Sequence, residues 1–414
     1  MKHFVRLGLS LGFGTALSIA SACSSDTTSV PPGSAAGSGP SGGGGMNPGG
    51  TLQPFTYPGD PGPGGVLFTA SGEVLALGGY AFPPATPDDP AFVDGWQIKF
   101  DEVLVTIDAI TLSENPDKAP GDEAQTDGVV AQVDGPFAVD LHKGGPLAGK
   151  GGTDEQAVPI AAISNQNRNG GAAFDPTRRY AFGFDTVAAT TSARNVNLDD
   201  RAQADYAEMI AKGWTVLYVG TATFTGTACS PADPVFDALP KVVKFRLGFR
   251  SPTTYVNCQN PDNDPAKALG AEEHERGVSV LTNRSAVAQV TIHTDHPFWE
   301  STAHDSPAHF DPIAARYVGQ DAPTATLDGL VGVDVLAFTD AKGNKLPART
   351  CLSTYTPAKG TLHFDPMGVP VDPADTTGAS LRDYADYMTY NQSTQGHLNS
   401  DGLCFVRRNY PSPP

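Results

Sequence analysis

The chain has 414 residues, of which 46 are Gly, 36 Pro and five Cys, and its formal charge is −18. That length allows one large domain or two to three ordinary ones, and 39% hydrophobic residues suffice for a sizeable core. The acidic balance argues against a phosphate-binding face for nucleic acid and against electrostatic docking on anionic lipid.

In chain order, Lys2 and Arg6 form a short basic start, and Leu7 to Ala20 is an uncharged, mostly apolar stretch. It is too short to span a bilayer and has the pattern of an export signal over residues 1–22. The run Leu17-Ser18-Ile19-Ala20-Ser21-Ala22-Cys23 resembles a bacterial lipobox, in which small residues precede a Cys. The resemblance covers only these first 23 residues. It implies a lipoprotein cleaved before Cys23, with that sulfur lipidated and the new amino group acylated by a palmitate-like chain. Ser24 in place of Asp then implies the outer membrane, with the protein facing the periplasm or the cell surface. Several acyl chains anchor stably where one does not.

Residues 24–65 hold 13 Gly and 8 Pro and only Asp26 and Asp60 as charges. This composition predicts, behind the lipidated Cys23, a disordered tether over 23–65 with a span of roughly 35 Å. From Val66 the chain reads as strands. Val243, Phe245, Leu247 and Phe249 alternate with Lys244, Arg246 and Arg250, and Trp214 to Phe224 alternates likewise. Trp96, Ile98 and Phe100 set one phase and Val103, Val105 and Ile107 the other, so a bulge or break is expected at Asp101-Glu102. Further strands are expected at 66–77, 129–140, 178–186, 278–293, 327–338 and 361–364, with turn chemistry at Lys342-Gly343-Asn344. Two helical stripes stand out: Leu198, Ala202, Tyr206, Met209 and Ile210, and Leu381, Tyr384, Ala385 and Met388. The fold class is therefore all-β, a mainly antiparallel sandwich with one or two short helices.

Cys229, Cys258, Cys351 and Cys404 remain, and an oxidising compartment predicts that they pair. Three connectivities are open. Pairs close along the chain, Cys229–Cys258 and Cys351–Cys404, are favoured, and they place a boundary near residue 320. The expected layout is a β-rich domain over 66–320 and a smaller disulfide-tied β/α part over 321–414.

The chemistry concentrates in residues 293–311, which hold four of the nine histidines: His293, His296, His304 and His309. Four carboxylates lie among them: Asp295, Glu300, Asp305 and Asp311. Imidazole with carboxylate suits copper or zinc. The expected metal ligands are His293, His296, His304, His309, Glu300 and Asp305, with His363 and His397 as weaker candidates. The alternation of Ala286, Ala288, Val290 and Ile292 turns His293 to the opposite face, beside Gln289 and Thr291. Pro297 should end the strand near His296. Asp262-Asn263-Asp264 reads as a solvated turn rather than a calcium loop, and Glu272 to Arg276 as an exposed charged face. Lys244, Arg246 and Arg250 should pair with the excess carboxylates. No catalytic residue is indicated. The expected function is a cell-envelope lipoprotein that binds copper or zinc. The alternatives are an interaction lipoprotein with an envelope protein as partner, and a metal-dependent hydrolase using Glu300 or Asp305 as base.

Overall fold

The computed structural model of the chain describes residues 52–119, 122, 124–152, 154–165, 171–334, 342, 346, 348–355 and 381–409. The signal segment, Cys23, His363 and the strand expected at 361–364 lie outside them. So do Gly343 and Asn344 of the expected turn.

The elements in chain order are β1 (Val66–Ser71), α1 (Glu73–Gly78), β2 (Trp96–Ser113), β3 (Val129–Val133), β4 (Phe137–Asp140), β5 (Leu147–Ala148), β6 (Gln156–Ile163), β7 (Arg179–Thr186) and β8 (Arg194–Asn195). Then come α2 (Asp200–Lys212), β9 (Val216–Phe224), α3 (Pro234–Asp237), β10 (Val242–Phe249), β11 (Thr253–Val256), β12 (Val278–Ser279) and β13 (Ala286–Ile292). The last are α4 (Asp311–Ala315), β14 (Thr324–Thr326), α5 (Tyr384–Gln392), β15 (Gly396–Leu398), β16 (Gly402–Leu403) and β17 (Phe405–Arg408). The fold is mostly β, in two mixed sheets, and is sandwich-like. One sheet runs β16-β15-β13-β1-β6-β5, and the other follows β14-β10-β9-β2-β7-β11-β17 with β3, β4, β8 and β12 added at its sides.

Strand alternation builds the core. Val243, Phe245, Leu247 and Phe249 are fully buried on one face of β10. On the other face Arg246 reaches Asp205 at 2.8 Å and Glu208 at 2.6 Å on α2, as its basic strip predicted. The phase slip in β2 is a register shift between Phe100 and Glu102 against β9, so one long strand serves both phases. Phe68 of β1 and Phe182 of β7 meet at 6.0 Å, which joins the two sheets face to face. A fully buried ring of this kind contributes roughly 2–3 kcal/mol through removal from water. On the far face of the larger sheet, Ala202, Tyr206 and Met209 of α2 cover Leu104, Ala138 and Leu217. Asp199 caps that helix at its start, and Gly213, left-handed at φ +66°, ends it.

Several expectations need correction. The tether expected to run to residue 65 is ordered over its last part. Gln53 bridges Arg194, Leu52 is buried against the α2 layer, and Gly64 donates to the Leu281 carbonyl. Two apolar side chains, Leu52 and Phe55, supply what the local composition lacks. The strand expected at 66–77 turns into α1 at Glu73, and 129–140 and 278–293 each divide in two. Instead of a strand at 327–338, the described part is a 3-10 turn at Asp328–Leu330. Glu272 and Arg276 form a buried pair at 2.5 Å rather than part of an exposed face.

The disulfide pairing is also corrected. The bonds are Cys229–Cys351 and Cys258–Cys404. Strand pairing explains this: β11, which leads into Cys258, is hydrogen-bonded to β17, which follows Cys404. Both bonds, and the β13–β15 and β10–β14 pairings, cross residue 320.

Candidate metal centre

Three imidazoles, from His293, His296 and His397, converge so that one nitrogen of each lies within 4.8 Å of the others. Their convergence follows from register. In the antiparallel pair β13–β15, Thr291 lies opposite His397 and Ile292 opposite Gly396. Residues two apart share a face, so His293, just beyond β13, and His397 are diagonal neighbours on one side. Their rings stack at 4.1 Å. The His293 N–H donates to the Gln395 carbonyl and so extends the pairing by one step. Gly396 lets the strand approach closely: a Cβ there would sit 2.5 Å from the Tyr255 ring.

The strand stops before Pro297, and His296 opens a 3-10 turn, His296–Phe298. That turn folds its ring back to 5.3 Å from both His293 and His397. Trp299 stacks on the outer face of His296 at 3.7 Å, and its indole N–H donates to Asp295 at 3.1 Å. His304 comes from the following loop, with its ring 5.8 Å from His397 and its Nδ1 3.2 Å from Asp305.

The protonation pattern suits a metal. His296 and His397 are fully buried, and burial, reinforced by the neighbouring imidazoles, holds both well below the ordinary histidine range. They are neutral at pH 7. Thr394 Oγ1 donates its proton to the Asn391 carbonyl, so it accepts from His296 Nδ1 at 2.8 Å. That fixes the tautomer: His296 Nε2 carries the lone pair, and it has no hydrogen-bond partner. Neither ring nitrogen of His397 makes a well-aligned hydrogen bond, and the nearby backbone of Thr394 and Asp401 only partly offsets the effect of burial. Burial depresses His293 too, but the carboxylates of Glu73, Asp295 and Asp401 outweigh it and raise its pKa. A tetrahedral ion with bonds of 2.0–2.1 Å needs nitrogens about 3.3 Å apart, so the three rings would have to draw in to hold one.

The other expected ligands separate from this centre. The chain doubles back so that Trp299 bridges Ala308, and His309 donates its backbone N–H to the Phe298 carbonyl. Side chains alternate across that pairing. Trp299 therefore faces His296, while Glu300 and His309 point to the opposite side. There His309 Nε2 meets Glu300 at 2.7 Å, and Tyr355 donates to the same carboxylate at 2.6 Å. Glu300, the expected base of a hydrolase, is thus occupied away from the three imidazoles. Asp305 is exposed beside His304. Of the three converging histidines, His397 had the weakest sequence signal.

The second cluster has a consequence for stability. Asp94 is fully buried, accepts the N–H groups of Phe310 and Asp311, and lies 3.7 Å from His309. Burial and the charge of Asp311 raise its pKa from 3.8 to about 7. Burial lowers His309, but Glu300, Asp94 and Asp311 more than compensate and raise it. Both groups hold protons to higher pH in the folded chain than in the unfolded one. Their stabilisation is fully present below the unfolded pKa values and is lost as pH rises through the folded ones. The unfolding free energy is therefore expected to fall by about 2 kcal/mol between pH 5 and 8. Urea titrations across that range check it, and Asp94→Asn should flatten the slope.

Among the described residues no helix is long and apolar enough to cross a membrane. Compared with known protein families, characterised proteins and solved structures, the chain matches none.

Proposed function

We propose that the protein is a lipid-anchored binding protein of the bacterial cell envelope whose His293–His296–His397 centre holds copper or zinc. One observation carries the metal reading. His296 offers a lone pair at Nε2 in a tautomer set by Thr394, and that fully buried nitrogen has no protein partner. A buried polar group without a partner costs about 1–3 kcal/mol, and an ion bound there removes that cost. Anchoring rests on the lipobox resemblance at Cys23. Imidazole donors suit copper and zinc better than calcium or magnesium.

Metal analysis of the purified full-length chain tests the reading. One equivalent of Cu(II) or Zn(II) should be retained through gel filtration. Cu(II) should quench the fluorescence of Trp299, and Trp299→Phe should remove most of that quench while leaving binding intact. A chain that retains neither ion after incubation with each overturns the metal reading.

A further inference from the structure

The inner imidazoles are sealed, so an ion needs a route to them. Exposure grades along one line of residues. The Asp401 side chain is 67% exposed, Glu73 17% and His293 13%, whereas His296 and His397 are at 0%. His293 Nε2 lies 3.5 Å from Glu73 Oε1 and 4.0 Å from Asp401 Oδ1. One oxygen from each carboxylate and one nitrogen of His293 fall within 4.8 Å of each other, so His293 belongs to this outer group and to the inner one.

The two carboxylates differ from their neighbours. Asp262 is paired with Lys150 at 2.6 Å, and Glu155 accepts from Gln289 at 2.6 Å and from Gly151. Glu73 and Asp401 have, among the described residues, no Lys or Arg partner; their nearest basic neighbour is His293. They are also held in place. Ser400 Oγ donates to Glu73 at 2.9 Å, and the Ser400 N–H donates to Thr291 Oγ1 at 3.0 Å. Asn399, next along the turn, donates to Asn260 at 2.9 Å and accepts from the Gln289 N–H at 2.8 Å.

We propose that Glu73 and Asp401 form the mouth of the metal centre. They capture a hydrated divalent cation at the surface and pass it through His293 to His296 and His397. No bond other than metal coordination changes: water and carboxylate oxygens leave the ion as imidazole nitrogens replace them. The inference rests on the metal reading above. Two things support it beyond the acidic pair: the shared residue His293, and the unpartnered, fully buried Nε2 of His296 behind it. Negative charge at a rim speeds capture of a cation by about 10-fold or more, and salt screens the effect.

Stopped-flow mixing of the full-length chain with Cu(II), read by quenching of Trp299, tests this. In Glu73→Gln/Asp401→Asn the association and dissociation rates should fall together by about 10-fold, leaving the equilibrium affinity within a few-fold. The salt dependence of association should weaken as well. Asp401→Asn alone, at an exposed turn, should show the same direction with a smaller effect. Unchanged association rates overturn the proposal. So does a loss of affinity as large as the loss of rate, which would make the carboxylates permanent ligands. A wild-type chain that shows neither quenching nor metal retention overturns the metal reading itself, and the mouth with it.

Discussion

His397→Ala is expected to lower copper or zinc affinity by about 100-fold or more, because it removes a first ligand and leaves two imidazoles for the ion. Loss of partners that merely orient ligands costs 10–100-fold, so loss of a ligand belongs at or above that range. His397 stacks at 4.1 Å on His293 and lies 5.3 Å from His296. It is fully buried and makes no well-aligned hydrogen bond, so its truncation breaks no strong polar contact. Stability of the metal-free chain should change less than affinity does. His309→Ala is the informative contrast. It leaves Glu300 and Asp94 without their histidine, so it should cost stability while metal affinity stays near wild type. Competition titrations against a chelator, beside urea unfolding, separate the two. Metal lost in His309→Ala and kept in His397→Ala would place the centre around the wrong histidine.

Cys258→Ser/Cys404→Ser is expected to destabilise the chain by about 3–5 kcal/mol, since the bond closes a separation of 146 residues. Its second effect is more specific. Cys404 lies directly between β16 and β17, a few residues beyond His397. Releasing it frees the end of the segment that places His397 beside His293, so affinity should fall with stability. Cys229→Ser/Cys351→Ser closes a separation of 122 residues and should cost a similar amount. That bond packs against Gly95 and Gly226, away from β15, so metal affinity should hold. Denaturation curves and metal titrations on both double variants check the contrast. Equal losses of affinity in the two would mean that general stability, not placement of β15, sets the effect.

Period-two alternation is a property of a few neighbouring residues, and it was legible. It located β7, β9 and β10 and the β2 bulge, and it turned His293 to the correct face, although β13 ends at Ile292, short of the end expected near His296. The stripe of Leu198, Ala202, Tyr206 and Met209 made α2 legible for the same reason. What was not legible depends on which strands pair. His397 joins His293 only through the β13–β15 register, and nothing near either residue encodes that partner. The cysteines show the same limit. Proximity along the chain favoured Cys229–Cys258, whereas β11 pairing with β17 brings Cys258 to Cys404. His309 misled by the opposite route. It is close to His296 in sequence, but the bridge between Trp299 and Ala308 turns it to the other side. His293 and His296 owe their local signal to their place on one strand end.

The place of β1 in its sheet has a consequence for how the protein is made. β1 is the first strand, yet it lies between β13 and β6, with Val66 in parallel register with Ala286. β13 in turn needs β15, and β11 needs β17. A chain emerging from its N-terminus has no neighbour for one edge of β1 until most of it has been made. Closing such distant pairs is slow, because the entropy of bringing the ends together is spent before any contact repays it. The imidazole of His397 arrives with the last strands. The three imidazoles therefore converge only at the end of assembly, and a chain cut short before residue 397 would lack the third of them.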